Sequence, residues 1–189
     1  MECALIISST KSGIDYLTQM LKAVSCNDIT SVKTCSESRR FMIERDFDLC
    51  IINSPLVDET GENLARSIAT KGMSQVILIV RTEVFEDISL KVEDYGVITI
   101  AKPINKELFW NALKLSDAAH KKMRVMLKED ENIRKKIEDI KLIDKAKKLL
   151  ILYKGMSEQQ AHKHIEKTAM DKRLTKRAVA DGIIETYEN

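Results

Sequence analysis

The sequence predicts an open, doubly wound α/β sheet followed by an all-helical segment. Three observations lead to this prediction. Short and almost wholly apolar runs alternate with helical segments up to about residue 103, as expected for strands that are buried on both faces of a parallel sheet. Residues 105–153 then contain neither proline nor glycine, and their apolar residues recur at helical spacing. After Gly155, two shorter segments again have the spacing of helices.

The first part should contain five strands and four intervening helices. Strands are predicted at residues 3–7, 28–35, 49–52, 75–80 and 97–101, and helices at 13–23, 37–45, 61–71 and 85–93. The long helix after the last strand completes the doubly wound pattern. The third strand ends at Asn53, on the carboxyl edge of the sheet, where folds of this class place their sites.

The long helical segment carries an apolar seam. Its steps are mostly three and four residues, which is typical of a coiled coil, with an interruption near Asp130. We expect a second copy to bury this seam in a homodimer. The alternative is that the seam packs only on the sheet of its own chain. The seam consists of Leu108, Ala112, Leu115, Ala119, Met123, Met126 or Leu127, Ile133, Ile137 and Ile140.

Two short helices should follow the long one. Gly155 is expected to end the long helix in the left-handed conformation, and Ser157 with Gln160 should form a capping box. The second helix is predicted to run to about residue 170 and the third to begin near residue 175. The residues expected to be buried are Ala161, Ile165 and Ala169 in the second helix and Ala178, Val179, Gly182 and Ile183 in the third.

Charge is distributed unevenly along the chain. Residues 133–189 contain 14 Lys and Arg against 9 Asp and Glu, a net charge of +5. Residues 1–132 contain 17 against 20, a net charge of −3. Such asymmetry is typical of a nucleic-acid-binding tail, although a solvated helical face would have the same composition.

The cysteines and the amino-terminal residues indicate in which cellular compartment the protein is expected. The four cysteines, at positions 3, 26, 35 and 50, form no C-x-x-C motif and no metal-ligand pattern with the three histidines. We therefore expect reduced thiols in a cytoplasmic protein, with no metal and no cofactor. No apolar run approaches the roughly 18 residues of a membrane span, and the first residues lack the basic region of a signal peptide.

The C-terminal stretch "IDKAKKLLILYKGMSEQQAHKHIEKTAMDKRLTKRAVADGII" resembles an ANTAR domain, the RNA-binding module of transcription antiterminators. The resemblance covers about the last 50 residues, and its one departure is Lys148, where many members have glycine. It rests on Ile143, Ala146, Lys147, Gly155, Ser157, Glu158, Ala161, Ala169, Met170, Arg173, Val179 and Ala180.

This resemblance implies an RNA-binding regulator without enzymatic activity. Members of the family clamp paired hairpins in nascent mRNA leaders and thereby exclude the terminator hairpin. Basic side chains would hold the phosphates, and a dimer would engage two hairpins at once. The basic residues predicted to bind RNA are Lys145, Lys147, Lys148, Lys163, Lys172, Arg173, Lys176 and Arg177. The alternative is a protein-interaction adaptor that binds no RNA.

Roughly the first 115 residues resemble the receiver domain of response regulators. Receivers have a phosphoacceptor aspartate at the end of the third strand and a glycine eight residues later, where this chain has Asn53 and Gly61. Lys102 and Pro103 match the family's Lys-Pro pair. The metal-binding acidic pair of receivers is replaced by Ser8 and Ser9, and the strand-end hydroxyl residue by Val80, or by Arg81 if the register shifts by one.

These replacements predict a degenerate phosphorylation site, made of Ser8, Ser9, Asn53, Val80 and Lys102. An amide is a poor nucleophile, and two hydroxyls cannot replace two carboxylates around Mg²⁺. We therefore expect a pseudo-receiver that a regulatory protein partner or a ligand controls. The adjacent Asp58 and Glu59 are expected to be solvated and not to bind metal. The predicted architecture is a pseudo-receiver at residues 1–115, a coiled-coil linker helix at 116–136 and a small three-helix ANTAR domain at 137–189.

Overall fold

A computed structural model describes residues 2–71 and 74–188 of the chain. The chain divides into two compact units, residues 1–125 and 126–189. Within the described residues, no helix is both long enough and apolar enough to cross a membrane.

The first unit is built on a five-stranded sheet in which every neighbouring pair of strands is parallel, in the order β2-β1-β3-β4-β5. This confirms the predicted doubly wound fold, because a non-sequential order of parallel strands requires helical crossovers. The third strand includes Asn53 as its last residue. The strands are β1 (Cys3–Ser8), β2 (Asp28–Val32), β3 (Leu49–Asn53), β4 (Gln75–Arg81) and β5 (Ile98–Lys102).

Four helices connect these strands, and two of them begin earlier than the sequence pattern predicts. The hydroxyls of Thr10 and Thr34 accept hydrogen bonds from the backbone N–H groups of Gly13 and Glu37, and these caps start α1 and α2 two residues before the first predicted helical position. Gly61, with φ of 86°, precedes α3. The helices are α1 (Lys11–Lys22), α2 (Cys35–Glu44), α3 (Glu62–Thr70) and α4 (Phe85–Val92), with short 3₁₀ turns at Thr82–Val84 and Glu93–Tyr95.

The sheet has a hydrophobic core on each face. Successive side chains of a strand point to opposite faces, so Leu5 and Ile7 pack with the residues of one core while Ala4 and Ile6 pack with those of the other. Phe109 at the start of the long helix is fully buried in the second core. The apolar runs are therefore strands covered on both sides, as their composition predicts.

The long helix, α5 (Lys106–Lys154), continues through Asp130, which forms an ion pair with Arg134 at 3.1 Å. The interruption in the apolar pattern is thus an exposed charge and not a break. Ala112 of the predicted seam is buried in the first unit. Most of the other seam residues are exposed; these are Leu108, Leu115, Met123, Met126, Leu127, Ile133, Ile137 and Ile140.

The second unit packs the end of α5 with α6 (Glu158–Lys172) and α7 (Lys176–Glu188). Its shared core consists of Ala146, Leu150, Ala161, Ile165, Ala169, Val179 and Ala180. The burial predicted for the third helix is wrong in part, because Ala178 and Gly182 are exposed and Ala180 is buried instead. The inward stripe of α7 lies one or two positions away from the predicted one and continues to Ile183 and Ile184.

Candidate functional site

At the carboxyl edge of the sheet, Asn53 lies beside Ser8 as its partner in the pairing of β1 with β3. The Asn53 side-chain amide donates a hydrogen bond to Ser8 Oγ at 3.0 Å. Ser8 is fully buried, and the Asn53 Oδ1 atom is buried without a hydrogen-bond partner among the described residues. Ser9 Oγ donates to the backbone oxygen of Pro55 at 3.3 Å. Where a receiver concentrates carboxylates, this chain has a neutral pair bonded to each other.

The first turn of α1 lies directly on this neutral pair. A Cβ atom added to Gly13 would lie 2.6 Å from Asn53 Nδ2, 2.7 Å from Ser8 Oγ and 2.8 Å from Thr10 Oγ1. Real Cβ atoms do not come so close to other heavy atoms, so the backbone of α1 occupies the space above the pair. Mg²⁺ takes an octahedron of oxygen ligands, in which one or two protein carboxylates are joined by several waters. Two hydroxyls and one amide beneath a helix backbone do not fit Mg²⁺.

Lys102 ends β5 at the same edge of the sheet, where its Nζ donates a hydrogen bond to the backbone oxygen of Ser54. Burial, and to a smaller extent the charge of Arg81, lower the pKa of Lys102. The register pairs Arg81 with Lys102, whereas Val80 is fully buried in the hydrophobic core. The residue beside Lys102 is therefore Arg81, so that two cations lie side by side at the ends of β4 and β5.

The adjacent acids after β3 are engaged in contacts within the first unit. Asp58 accepts hydrogen bonds from the backbone N–H groups of Cys35 and Ser36, both at 3.0 Å, and from the Ser36 hydroxyl at 3.1 Å. Although burial acts in the opposite direction, these bonds lower the pKa of Asp58. Glu59 forms a two-pronged ion pair with Arg39, at 2.6 and 2.9 Å. The two acids tie the loop after β3 to α2.

One sulfur atom lies close enough to Asp58 and Glu59 to complete a three-residue group of metal-ligating type, namely Cys35 Sγ. Burial, together with the charges of Glu59 and Asp58, raises the pKa of the Cys35 thiol to about 12. Without a metal ion this thiol is therefore protonated at neutral pH. With both carboxylates already bonded, these three residues are explained by packing and capping.

The second unit begins its helices as the sequence predicts. Gly155 has φ of 62° and ends α5, and Ser157 and Gln160 form the predicted capping box, with both reciprocal hydrogen bonds present. Arg173 ends α6 with φ of 53°, in the left-handed region, which residues other than glycine, asparagine and aspartate seldom adopt. The basic segment after α6 thus starts from a residue in the left-handed region.

The eight basic residues predicted to bind RNA fall into two groups. Four form ion pairs inside the second unit, whereas four form none with any described residue. The ion pairs are Lys145 with Glu188 at 2.6 Å, Lys147 with Asp144 at 2.7 Å and Glu158 at 3.4 Å, Lys176 with Glu166 at 2.6 Å, and Arg177 with Asp139 at 2.8 Å. The exposed residues without an ion pair are Lys148, Lys163, Lys172 and Arg173.

Lys147 is the least accessible of the eight. Its side chain is only 15% exposed and joins Asp144 of α5 to Glu158 of α6. The pKa of Lys147 is raised, chiefly by its hydrogen bond to Asp144. A groove of about 290 Å³ runs beside it and is lined by Lys147, Glu158, Gln159, His162 and Lys163. Lys147 therefore ties α5 to α6 beside this groove.

Some residues near these sites have roles that the sequence reasoning did not assign. Gly13 was predicted only as the first residue of a helix, and only the structure shows that its backbone lies against Asn53. Tyr153 and Tyr187 stack on each other with ring centroids 5.0 Å apart, a contact between two helix ends that no local pattern encodes.

Comparisons of the chain with known proteins agree with this division into units. Residues 131–184 match the family model of the ANTAR domain. The transcriptional regulatory protein PdtaR of Mycobacterium tuberculosis is 27% identical over 140 residues, which is 74% of this chain and 68% of that protein.

Solved receiver domains have the fold of the first unit. A two-component transcriptional regulator AraC from Clostridium phytofermentans superimposes with a TM-score of 0.59 at 17% identity, over 66% of this chain and 98% of that one. A signal receiver domain of an HD domain-containing protein from Pseudomonas fluorescens gives 0.56 at 17% identity, over 67% and 92%. The non-phosphorylated HemR receiver domain from Leptospira biflexa gives 0.53 at 20% identity, over 61% and 94%.

At these identities the structural likeness establishes the fold of the first unit, while the family match covers most of the second. The chain therefore carries an ANTAR domain at residues 131–184, preceded by a domain with the fold of response-regulator receivers, and is a relative of the transcriptional regulatory protein PdtaR.

Proposed function

We propose that this protein is a transcription antitermination regulator that binds paired hairpins in nascent mRNA leaders through its ANTAR domain. The observation that carries the proposal is the match of residues 131–184 to the ANTAR family, over a compact three-helix unit with its own core. Binding would stabilise the hairpins and exclude the competing terminator. A regulator of nascent mRNA works in the cytoplasm, as the sequence leads us to expect.

The basic residues of the second unit that form no ion pair support an RNA-binding surface. Exposed cations outside ion pairs attract phosphates at the least cost, because no existing ion pair has to break. We assign the first phosphate contacts to Lys148, Lys163, Lys172 and Arg173. The other four predicted residues, Lys145, Lys147, Lys176 and Arg177, would contribute by holding α5, α6 and α7 together and by raising the local potential.

The receiver-like domain would not be phosphorylated on an aspartate. Asn53 replaces the nucleophile, Ser8 and Ser9 replace the metal-binding acids, and the backbone at Gly13 lies against Asn53 and Ser8. Arg81 and Lys102 remain as a pair of cations at this edge. Control by a regulatory protein partner or a ligand is the mode of regulation consistent with these residues.

The proposed regulator is a homodimer that pairs through the apolar seam of α5. Seam residues on both sides of Asp130, such as Leu115 and Ile137, expose about half of their surface or more. Exposed apolar residues at coiled-coil spacing are expected to pair. The proposed division into a pseudo-receiver at 1–115, a coiled-coil linker at 116–136 and an ANTAR domain at 137–189 assigns the middle of α5 to this contact. Two ANTAR domains in one dimer would bind two hairpins of the same RNA. The second binding event would then be intramolecular, which raises the overall affinity.

A second candidate function is a protein-interaction adaptor whose basic surface binds an acidic partner. The four internal ion pairs of the ANTAR unit favour it to a degree, because they neutralise part of the basic excess. Neither function requires a cofactor or a catalytic group.

The deciding experiment is to crosslink the protein to RNA in its own cells and to sequence the RNA that is recovered. The proposal predicts adjacent pairs of small hairpins lying upstream of terminators. A charge-reduced chain, Lys148→Gln with Lys163→Gln and Lys172→Gln, is the matched control and should recover less RNA. Recovery of no RNA above the level of that control would favour the adaptor.

A further inference from the structure

The last turn of α5 carries an aromatic side chain in an unusual position. Tyr153 stacks on Tyr187, the penultimate residue of α7, with ring centroids 5.0 Å apart and planes inclined by 13°. Tyr187 packs against the core of the ANTAR unit, whereas Tyr153 is 58% exposed. Tyr187 therefore covers one face of the Tyr153 ring and fixes its orientation, and the opposite face is open to solvent.

The surroundings of Tyr153 are open as well. Leu152, Tyr153 and Lys154 are all exposed, and a Cβ atom added to Gly155 would meet no atom within 4 Å. Successive helical residues point about 100° apart, so these residues expose a wide arc of the helix end, while Leu150 before them is buried in the core of the unit. A core-forming tyrosine would be covered. An exposed flat ring, held rigid by a second ring beneath it, has instead the geometry of a platform.

Two lysines of α5 lie near this pair of rings, and one of them is already ion-paired to α7. Lys154 follows Tyr153 directly and is exposed without an ion pair among the described residues. Lys145 lies beside Glu188, the neighbour of Tyr187, at 2.6 Å. Sequence-specific RNA-binding proteins stack unpaired bases on aromatic rings while basic side chains hold the adjoining phosphates.

We propose that the exposed face of Tyr153 is a stacking subsite for an unpaired base in the loop of a bound RNA hairpin. This inference rests on the proposed RNA-binding function and names the part of the RNA that this surface contacts. Tyr187 is the positioning residue: it touches no RNA and holds the Tyr153 ring in the stacking plane. Because every base has a flat face, the subsite would favour an unpaired nucleotide without selecting its identity.

The test compares two RNAs on the full-length protein. One is a paired-hairpin RNA recovered by the crosslinking experiment, and the other is the same RNA with abasic loop nucleotides. Tyr153→Leu should weaken binding of the first RNA by about 5- to 150-fold, the range expected for loss of one stacked base. It should leave binding of the abasic RNA unchanged. Tyr153→Phe, which keeps the ring, should bind both RNAs as the native chain does.

Two further measurements separate stacking from folding. Tyr95→Leu removes another half-exposed tyrosine, in the first unit, and should change neither affinity. Tyr153→Trp should show fluorescence quenching with the native loop and none with the abasic loop, measured against the native chain, whose single tryptophan is Trp110. This readout reports stacking even if Tyr153→Leu destabilises the unit.

Three results would contradict the stacking subsite or the function on which it rests. Equal affinity of Tyr153→Leu and the native chain for the loop-bearing RNA, without quenching of Tyr153→Trp, would disprove the subsite while leaving RNA binding intact. A change in the sedimentation of Tyr153→Leu, with RNA affinity unaltered, would assign this surface to a second copy and also disprove the subsite. Failure of the native chain to bind either RNA would overturn the proposed function itself.

Discussion

Gly13→Ala is the substitution that tests most sharply whether α1 closes over the degenerate site. The new methyl group would lie 2.6 Å from Asn53 Nδ2, 2.7 Å from Ser8 Oγ and 2.8 Å from Thr10 Oγ1. Alanine in a helix gains about 1 kcal/mol over glycine. Against this, overpacking costs about 1–3 kcal/mol. Disturbing the Asn53–Ser8 hydrogen bond and the Thr10 cap costs about 1 kcal/mol each. The net expectation is a loss of about 2–4 kcal/mol in the free energy of unfolding.

Urea unfolding followed by circular dichroism measures this loss. Gly182→Ala is the matched control, because Gly182 is also helical and a Cβ atom there would meet nothing within 4 Å; that variant should gain up to about 1 kcal/mol. In an Asn53→Ala background, the cost of Gly13→Ala should fall, since one of the three clashing atoms is gone. If Gly13→Ala stabilised the protein as much as Gly182→Ala, the backbone of α1 would not lie on Asn53, and the account of the closed site would be wrong.

Three other predictions concern phosphorylation, assembly and thiol chemistry. Incubation with a small phosphodonor and Mg²⁺ should leave the mass of the native chain and of Asn53→Asp unchanged, because the metal-binding acids are absent; a Mg²⁺-dependent gain of one phosphoryl group on the native chain would contradict the pseudo-receiver. Ile137→Lys places a charge in the seam and should shift the sedimenting species from dimer towards monomer, whereas a native chain that is already monomeric at micromolar concentration would remove the two-hairpin geometry. Burial raises the pKa of Cys35 and of Cys50 to about 12, above the ordinary value of 9.0. Both thiols therefore stay protonated at pH 8 and should resist alkylation until urea unfolds the chain. Rapid labelling of either thiol in the folded protein would show that its burial is incomplete.

Regular elements with a local signal were predictable from the sequence. Apolar runs identify strands that are buried on both faces, and the Gly155, Ser157 and Gln160 signals specify a helix end and the next helix start. Those signals lie within a few residues of the structure that they determine. The long helix was likewise predictable, since nothing between residues 105 and 153 interrupts it.

The register of paired strands and the buried face of a short helix were harder to predict from the sequence. Whether Val80 or Arg81 stands beside Lys102 depends on the pairing of β4 with β5, and a shift of one residue exchanges a core side chain for an exposed one. In α7, the choice between Ala178 and Ala180 as the buried alanine depends on which face meets α5 and α6. Short stretches of alternating small and polar residues do not specify that face.

Long-range contacts gave no signal in the sequence. Lys147 was predicted as an RNA contact from its place in a basic motif, and its ion pairs with Asp144 and Glu158 depend on how two helices cross. The stack of Tyr153 on Tyr187 joins residues 34 positions apart. The assignment of individual basic residues to RNA therefore remains a prediction.

A gel-shift titration tests the central claim, that the ANTAR unit binds paired hairpins, most directly. The full-length protein is titrated against a paired-hairpin RNA and against a scrambled RNA of equal length. The protein should bind the paired hairpins more tightly than the scrambled RNA, with an affinity that falls with salt by roughly 0.7 to 0.9 log units per phosphate contact for each tenfold rise. Lys172→Gln should bind more weakly, whereas Lys91→Gln in the first unit should bind as the native chain does. Equal affinity for both RNAs, with no loss in Lys172→Gln, would contradict it and would leave the basic face as a solvated surface.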